Sequence, residues 1–548
     1  MDPHAPTSAF DSSRFLIPDI IGLICEAANE NPSRKILLST LARTSRAFYD
    51  VAFVLLWSEI DNVAPLIKCL PADAWEVRGN RDPWALSQLM PSLCHSPMLV
   101  ITYPDGKHLT RPILPPDLPR MHFHARLVKR FVFCAYPHPR VHPDALDGIS
   151  RALHDANVRV LLPNINELSW SHNNMSDAEF KYLPLFLGPN IQKLSTSLTV
   201  LNTSNATLRA GIIHKLNLPE LYPLLRELHV KPSPEYTSAT IHHAASVSAL
   251  SHVVQRWSHL HTLSIPNLTP EAFAHVACLP QLRLLVLTHI GTASPIKFAG
   301  HLLMSSLSKS VRLFPALREF FVKCEHVNIG AAVLGAVLHA PKLVGLQLEV
   351  EARATTEHAN NLLQVISTAH TPWHESLELL ILSPASWKAQ SATTPTVDLL
   401  TIHAVRPLFI FANLSVVILS LADGFDLVDE ELYEIGKAWP RLVVLDLHET
   451  MRRITLKGVM MLGQCCPSLN KLSIEFDGSA DALAAARLLG EGAMNDNLVT
   501  LEAGKSPIGD VDEMADVLAK AFPNLAWINS ATVQWLKVEL KVKGWSLP

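Results

Sequence analysis

The sequence has 548 residues, of which 48% are hydrophobic and 18% are charged. This length exceeds one ordinary domain of about 150 residues, and a charged fraction below the usual value of roughly 25% leaves enough apolar residues for a long, continuous core. The 46 lysines and arginines nearly balance the 50 aspartates and glutamates, so the net charge of −4 argues against nucleic acid and anionic membranes as partners.

The N-terminal residues lack the basic region and apolar stretch of a secretory signal, and an acid, Asp2, follows the first residue. Apolar runs are short: the run at 51–57 ends after seven residues, whereas a membrane span needs roughly 20. We therefore predict an intracellular protein, located in the cytoplasm, the nucleus or both, with no membrane partner. Residues 1–12 are predicted to be disordered.

A helical region is predicted next. In residues 15–28 the apolar side chains recur at helical spacing, and Pro18 and Asp19 suit the first turn of a helix. After a turn at 29–33, apolar residues recur at spacings of three and four as far as Leu56, and a second apolar set lies on another side of the same helical path. Because a helix with more than one apolar face buries more than one face, we predict that this segment binds a partner. The alternative is an ordinary helical cap for the repeats that follow.

From residue 126 the chain repeats the pattern PxLxxLxL, as in PRLVVLDL at 440–447 and PKLVGLQL at 341–348. About fourteen units match this template. The first apolar anchors of the last five units are separated by 28, 27, 29 and 27 residues, which is the period of a leucine-rich repeat. Earlier intervals reach 34 and 35 residues, and the excess lies in polar, proline-bearing stretches that are typical of loop insertions. The last five anchors are Leu414, Leu442, Leu469, Leu498 and Leu525.

Each unit is predicted to contain one helix and one short strand. The alternation of Leu445 inward, Asp446 outward and Leu447 inward indicates a strand with one buried face, and residues 428–439 before it have helical spacing. The proline of each unit ends the helix and leads the chain into the strand. Since one helix and one strand cannot bury their apolar sides alone, the units must stack. The predicted fold class is therefore α/β: a leucine-rich-repeat solenoid, with a parallel sheet on the concave side and helices on the convex side, preceded by a small all-α domain.

These patterns divide the chain into segments. The helical domain spans 13–60, and a connecting region without a predicted fold spans 61–125, where the proline-rich stretch at 111–120 is typical of a linker. The repeats span 126–535, and residues 536–548 form a C-terminal tail or cap.

The helical domain resembles the F-box. The resemblance covers roughly residues 13–60 and rests on the sequence IPDI at 17–20, LARTSRAF at 41–48 and LLW at 55–57. Ile17, Asp19 and Ser45 stand where the family usually has Leu, Glu and Cys. The downstream repeats are also similar to those of leucine-rich F-box proteins, including the expanded fungal sets.

This resemblance implies a role as the substrate receptor of an SCF (Skp, cullin, F-box) ubiquitin ligase. The F-box would dock to the Skp-type adaptor, and through it to a cullin, while the repeats would hold a protein target. Such receptors have no catalytic residues of their own. Carried over by position, the adaptor-binding candidates are Pro18, Ile20, Ile21, Leu41, Arg46, Phe48, Leu56 and Trp57. The alternative function is a leucine-rich-repeat interaction scaffold without a link to a ligase.

Candidate target-binding residues are the outward positions of the predicted strands. They carry both charges and one aromatic side chain, a mixture that suits protein recognition better than polyanion binding. Most of them individually are expected to be solvated strand residues, because few contacts carry the energy of an interface. The candidates are Glu227, His229, Lys231, Glu319, Phe321, Lys323, Gln347, Glu349, Asp446, His448, Lys471 and Glu475.

No pattern in the sequence indicates catalysis, a metal site or a cofactor. The stretch AGKS at 503–506 lacks the first glycine of a phosphate-binding loop, because Val499 occupies that position. The 26 histidines have no acids or cysteines at metal-ligand spacing, and the 8 cysteines include no CxxC pair. We therefore predict a protein that is not an enzyme and that binds no metal or cofactor.

Overall fold

A computed structural model gives the fold. It describes residues 18–78, 98–100, 110–132, 143–170, 182–198, 218–232, 244–291, 313–337, 340–367, 372–385, 399–421, 424–447, 450, 453–489, 495–530 and 532–544. The chain divides into two compact units, one formed by residues 1–228 with 233–235, and the other by 229–232 with 236–548. Each unit is described by itself.

The first unit begins with three helices that pack against one another and continues into a parallel sheet. Strands β1, β4, β5 and β6 pair in that order. An antiparallel hairpin of β2 and β3 lies in the region for which no fold was predicted. The elements are α1 (Pro18–Glu30), α2 (Arg34–Thr44), α3 (Arg46–Ser58), β1 (Glu59–Ile60), α4 (Ala64–Ile67), β2 (Glu76–Arg78), β3 (Met98–Val100), α5 (Pro119–Ala125), β4 (Arg130–Val132), α6 (Pro143–Asp155), β5 (Glu167–Trp170), α7 (Leu183–Phe186), β6 (Lys193–Leu198) and α8 (Leu218–Leu221).

The second unit continues the alternation of helix and strand. Strand β7 (Glu227–Pro232) crosses the boundary between the units. Strands β8, β9, β10, β11, β12, β14, β16, β17, β18 and β19 then pair in parallel in this order. Its elements are α9 (Ala244–Val254), β8 (Thr262–Ile265), α10 (Pro270–Ala277), β9 (Leu284–Ile290), β10 (Glu319–Cys324), α11 (Val327–Val337), β11 (Gly345–Val350), α12 (Thr356–Ile366), β12 (Leu379–Pro384), β13 (Leu400–Thr401), α13 (Ile402–Val405), β14 (Val416–Leu419), β15 (Phe425–Asp426), α14 (Asp429–Ala438), β16 (Val444–Leu447), α15 (Leu456–Cys465), β17 (Lys471–Ile474), α16 (Ala480–Arg487), β18 (Thr500–Gly504), α17 (Val511–Ala521), β19 (Trp527–Ser530) and α18 (Val533–Val542).

The predicted leucine-rich-repeat fold is confirmed. The pairs described within the main sheet are parallel, its strands from β4 onward lie at the matches to the PxLxxLxL template, and all five of the predicted anchors from Leu414 to Leu525 are buried. Within β16, Leu445 and Leu447 are buried while Asp446 is partly exposed, which is the alternation that the sequence predicts. Each buried leucine contributes roughly 1.5 to 3 kcal/mol, so the recurring anchors account for much of the cohesion between units.

Two boundaries differ from those predicted. The sheet begins at Glu59 rather than at 126, because β1 pairs with β4 directly after α3. At the other end, α18 starts at Val533 inside the last predicted unit and buries Trp535, whose indole Nε1 donates to the Ser506 carbonyl at 2.9 Å. Neither β1 nor α18 carries a PxLxxLxL turn, so the repeat template could not find them.

Exposed asparagines connect neighbouring repeats at the turn that leads into a strand. Each asparagine is the second residue of its PxLxxLxL match. Its side-chain Nδ2 donates to the backbone carbonyl of the first residue of the preceding match. These bonds satisfy carbonyl groups that no strand or helix uses. The pairs are Asn164 with Arg126, Asn413 with Glu375, Asn497 with Pro467, and Asn524 with Asp496, at 2.7 to 2.8 Å.

A buried asparagine, Asn495, connects three repeats. Its Nδ2 donates to the carbonyls of Gly463 and Cys466 at 3.0 and 2.8 Å, at the end of α15. Its Oδ1 accepts from the backbone N–H groups of Asn497 and Leu498 at 2.9 and 3.1 Å. The backbone N–H of Asn495 donates to a carbonyl at the end of α17. The side chain therefore uses both of its N–H donors and its carbonyl oxygen inside the core.

Candidate functional site

The three N-terminal helices form a small bundle with its own core. Ile21, Cys25, Leu38 and Ala52 are buried at its centre, and partly buried side chains of all three helices pack around them. Helix α3 begins at Arg46 because the Ser45 side chain accepts a hydrogen bond from the Phe48 N–H at 3.3 Å, as an N-cap serine does. Ser45 thus has a structural role as the N-cap of α3.

Helix α1 has two apolar faces. Ile21 and Cys25 face the bundle core, whereas the other side of the helix presents Ile20, Leu23 and Ile24 to solvent. The exposed fractions of these three residues are 42%, 64% and 39%. Their spacing of three and four residues places them on one side of the helix. In the described chain, α1 therefore carries an apolar surface that bundle packing does not use.

The aromatic end of α3 packs against α5 of the connecting region. The Trp57 ring lies 4.4 Å from the His124 ring, and Phe53 lies 5.7 Å from it, measured between ring centroids. Phe53 also stacks on Tyr49 at 5.2 Å. Trp57 is therefore in contact with α5, and its assignment to an adaptor-binding surface stays a prediction.

The structure separates the other seven predicted adaptor-binding residues into three groups. Pro18, Ile20 and Arg46 are exposed. Leu41, Phe48 and Leu56 are partly buried and pack against the bundle core. Ile21 is fully part of that core, so its prediction as a surface residue is wrong: the spacing of α1 is apolar on both sides and did not distinguish Ile20 from Ile21. Leu23 and Ile24, which the F-box resemblance does not select, are exposed beside Ile20.

The bundle joins the sheet without a linker. The Ser58 carbonyl at the end of α3 accepts from the Lys129 N–H at 2.7 Å, immediately before β1 pairs with β4. From α2, Arg34 donates to the Glu59 carboxylate at 2.9 Å and to the Glu59 backbone carbonyl at 3.2 Å. These contacts attach the bundle to the first strand at two places.

Charges of alternating sign follow the outward side of the strands in the first unit. Glu59, Arg130, Glu167 and Lys193 lie side by side on consecutive strands. Arg130 contacts Glu59 and Glu167 at 3.3 and 3.1 Å, and Lys193 contacts Glu167 and Glu227 at 3.5 Å each. Glu227, a predicted target-binding residue, is thus paired within the chain. Such exposed pairs contribute little stability individually, but they neutralise this surface.

Most predicted target-binding residues are partly or fully exposed, as the strand alternation requires, and several have partners within the chain. Lys323 contacts Glu351 at 3.3 Å, Lys471 contacts Glu502 at 2.7 Å, and Gln347 donates to Glu349 at 3.1 Å. His448 lies outside the described residues. The side chains that remain accessible are those of Glu227, His229, Lys231, Glu319, Phe321, Lys323, Gln347, Glu349, Asp446, Lys471 and Glu475.

An apolar surface on the outward side of the second unit was missed. We call it the apolar strand face. Its side chains are partly exposed and lie at the same outward positions as the predicted polar residues. A run such as ELLIL at 378–382 has the composition of a strand buried on both sides, but the PxLxxLxL register turns every second residue outward. The face comprises Leu284, Val286, Phe321, Leu379, Ile381, Val416, Ile418 and Val444.

The described cysteines are free thiols, and burial raises the pKa of each of them, most of all for Cys324 and Cys466. Burial raises the pKa of Cys324 and of Cys466 to about 12. At mildly alkaline pH both therefore remain almost entirely in the unreactive thiol form. Cys278 is exposed.

We expect Cys278 to react with a thiol reagent in the folded protein, and Cys324 and Cys466 to react only after unfolding. Alkylation at mildly alkaline pH, followed by peptide mapping with mass spectrometry, measures each site separately. Full unfolding before labelling provides the reference for complete reaction. Labelling of Cys466 as fast as that of Cys278 in the folded protein would contradict the packing described for α15.

No metal site or membrane helix is found among the residues that the structure describes. No group of three or more His, Cys, Asp or Glu side chains there could hold a metal ion. None of the described helices is long and apolar enough to cross a membrane.

Comparison with known proteins gives a likeness of fold alone. No family model matches the chain, and no curated protein matches it. Among solved structures, it is similar to a chain of the crystal structure of the Rad7 and Elc1 complex in yeast, with a TM-score of 0.39 and 15% identity over 71% of this chain and 88% of that chain. The parallel sheet and its repeated leucine anchors define the protein as a leucine-rich-repeat protein.

Proposed function

We propose that the protein is the non-catalytic substrate receptor of an SCF-type ubiquitin ligase. The N-terminal bundle docks to the Skp-type adaptor, which links it to a cullin, and the repeats hold a protein target. The observation that carries the proposal is the second apolar face of α1, formed by Ile20, Leu23 and Ile24. A helix that only capped the repeats would need one apolar face, whereas α1 has two.

This proposal moves the adaptor-binding surface relative to the sequence prediction. Pro18, Ile20 and Arg46 keep their assignment because they are exposed, and Leu23 and Ile24 join them. Leu41, Phe48 and Leu56 support the docking helices from within the bundle. Because the three aliphatic side chains are 39 to 64% exposed, covering them with a partner contributes roughly half of the 1.5 to 3 kcal/mol of full burial each, before the costs of association.

One observation favours the alternative, a repeat scaffold without a link to a ligase. The pairing of β1 with β4 and the contact of Arg34 with Glu59 integrate the bundle into the sheet, as an end cap requires. A cap and a docking module are compatible roles, so the two functions differ only in what the exposed face of α1 binds.

Direct binding to the adaptor distinguishes the two functions. We expect the full chain to bind a purified Skp-type adaptor at micromolar concentration or below in isothermal titration calorimetry. Addition of a cullin should then give a ternary complex in size-exclusion chromatography. Absence of adaptor binding by the folded, wild-type chain would reject the ligase function and leave the scaffold.

A further inference from the structure

We propose that the apolar strand face binds an extended protein segment in which aliphatic or aromatic side chains alternate with basic ones. This inference deepens the proposed function by giving the chemistry of the target, and it rests on that function only for calling the bound segment a target. The binding itself belongs to the second unit and requires no adaptor.

The apolar strand face occupies two neighbouring rows of outward residues. In one row across the sheet, Val286 lies beside Phe321, Gln347 follows, and Ile381 lies beside Ile418. In the neighbouring row, Leu379, Val416 and Val444 are consecutive. The face spans six strands, and five spacings of about 4.8 Å make it roughly 24 Å wide. Gln347 and Gly345 of β11 separate the apolar side chains of β9 and β10 from those of β12, β14 and β16. An exposed surface with this many apolar side chains indicates an interaction site.

The outward strand residues of the first unit differ from those of the apolar strand face. There the equivalent outward positions carry Glu59, Arg130, Glu167 and Lys193, which neutralise one another by ion pairs. These paired charges stay partly hydrated, so their exposure to solvent is not unfavourable. Exposure of outward leucine and isoleucine side chains to water is unfavourable. A partner that covers the apolar strand face would therefore be stabilised by the hydrophobic effect.

Acidic side chains lie at one edge of the apolar strand face. Where β10 and β11 end, the carboxylates of Glu325 and Glu351 line a depression that also contains Lys323. Glu349 lies beside Lys323 on the neighbouring strand. Lys323 contacts Glu351. These four side chains carry three carboxylates and one ammonium group. The opposite edge is mixed, with Arg283 and Arg318 against Glu378. A partner with basic side chains toward the carboxyl ends of the strands therefore complements this surface.

The dimensions define the length of the segment. An extended chain advances roughly 3.3 Å per residue, so about seven residues cross the 24 Å face. Alternation turns every second side chain toward the sheet, where the apolar ones contact Phe321, Ile381 and Ile418. The intervening basic residues remain in solvent or reach the acidic edge.

A labelled peptide in which leucine and lysine alternate tests the proposal by fluorescence anisotropy with the full chain and no adaptor. We expect it to bind at least about tenfold more tightly than the same peptide with glutamate for lysine, or with serine for leucine, a difference of about 1.4 kcal/mol. Equal binding of the lysine and glutamate peptides would overturn the charge assignment. Absence of binding by the leucine–lysine peptide would overturn the docking site.

Variants locate the binding on the sheet. The double change Ile381→Thr with Ile418→Thr keeps β-branched residues at outward positions, so the fold should survive, and affinity should fall at least about tenfold. The matched control is Trp527→Thr, an exposed outward residue of β19 far along the sheet order, which should leave affinity unchanged. Glu349→Gln should weaken binding and flatten its salt dependence. Unchanged affinity in the double variant would overturn the location. Loss of adaptor binding with retained peptide binding would reject the ligase function alone.

Discussion

Leu23→Asp should abolish binding of the full chain to a Skp-type adaptor while leaving its thermal unfolding unchanged. Leu23 is the most exposed apolar residue of α1, so an aspartate there stays hydrated in the free protein. In the complex the carboxylate would be buried without a partner, which costs several kcal/mol. A loss of about 3 kcal/mol weakens binding more than a hundredfold.

Two further variants make this result specific to α1. Leu488→Asp changes an exposed leucine after α16, 88% accessible, and should affect neither adaptor binding nor unfolding. Phe48→Asp places a charge against the bundle core, so it should lower the unfolding temperature of the bundle and weaken binding only through that damage. Calorimetric titration together with circular dichroism melts measures both quantities. Wild-type affinity in Leu23→Asp would remove α1 from the docking surface.

Asn495→Leu should lower the free energy of unfolding of the second unit by about 3 kcal/mol. Leucine has a similar size and suits the apolar surroundings, but it leaves the N–H groups of Asn497 and Leu498 and the carbonyls of Gly463 and Cys466 without the partners that Asn495 supplies. Each buried polar group left in this way costs about 1 to 3 kcal/mol, more than the added apolar contact returns.

The matched control for this prediction is Asn497→Ala. That asparagine makes one exposed hydrogen bond to the Pro467 carbonyl, so its loss should cost less than about 1 kcal/mol. Denaturant unfolding gives both values, and hydrogen exchange of residues 495–530 reports whether the loss is local to these repeats. Equal losses of unfolding free energy in the two variants would mean that the buried hydrogen bonds of Asn495 contribute no more to stability than the exposed bond of Asn497.

The repeat anchors were predictable because burial, strand alternation and proline turns all act within one short unit. Leu442 and Leu469 could be assigned from spacing alone, since every unit must bury the same positions to stack. The pairing of β1 with β4 was not predictable, because it joins Glu59 to Arg130 across a long sequence separation without a PxLxxLxL turn at β1.

The orientation of the candidate site residues was less predictable than the fold, for a different physical reason. A family pattern gives residue types but not orientation, so it could not show that Ile21 faces the core or that Trp57 packs on His124. On the sheet, polar residues such as Glu319 were preferred as candidates because outward residues are usually polar. Ile381 and Ile418 occupy the same outward rows, and only the strand register identifies them.

The asparagines that connect neighbouring repeats bear on how this chain can change in length. Asn164, Asn413, Asn497 and Asn524 each connect one repeat to the repeat before it at the start of a strand. The bonded residues are 38 positions apart for Asn164 and Asn413, but 30 and 28 positions apart for Asn497 and Asn524. The same bond therefore forms across repeats of different length. Related sequences are therefore expected to differ in length in the segment that follows each strand. The turn that leads into the strand keeps neighbouring repeats in register.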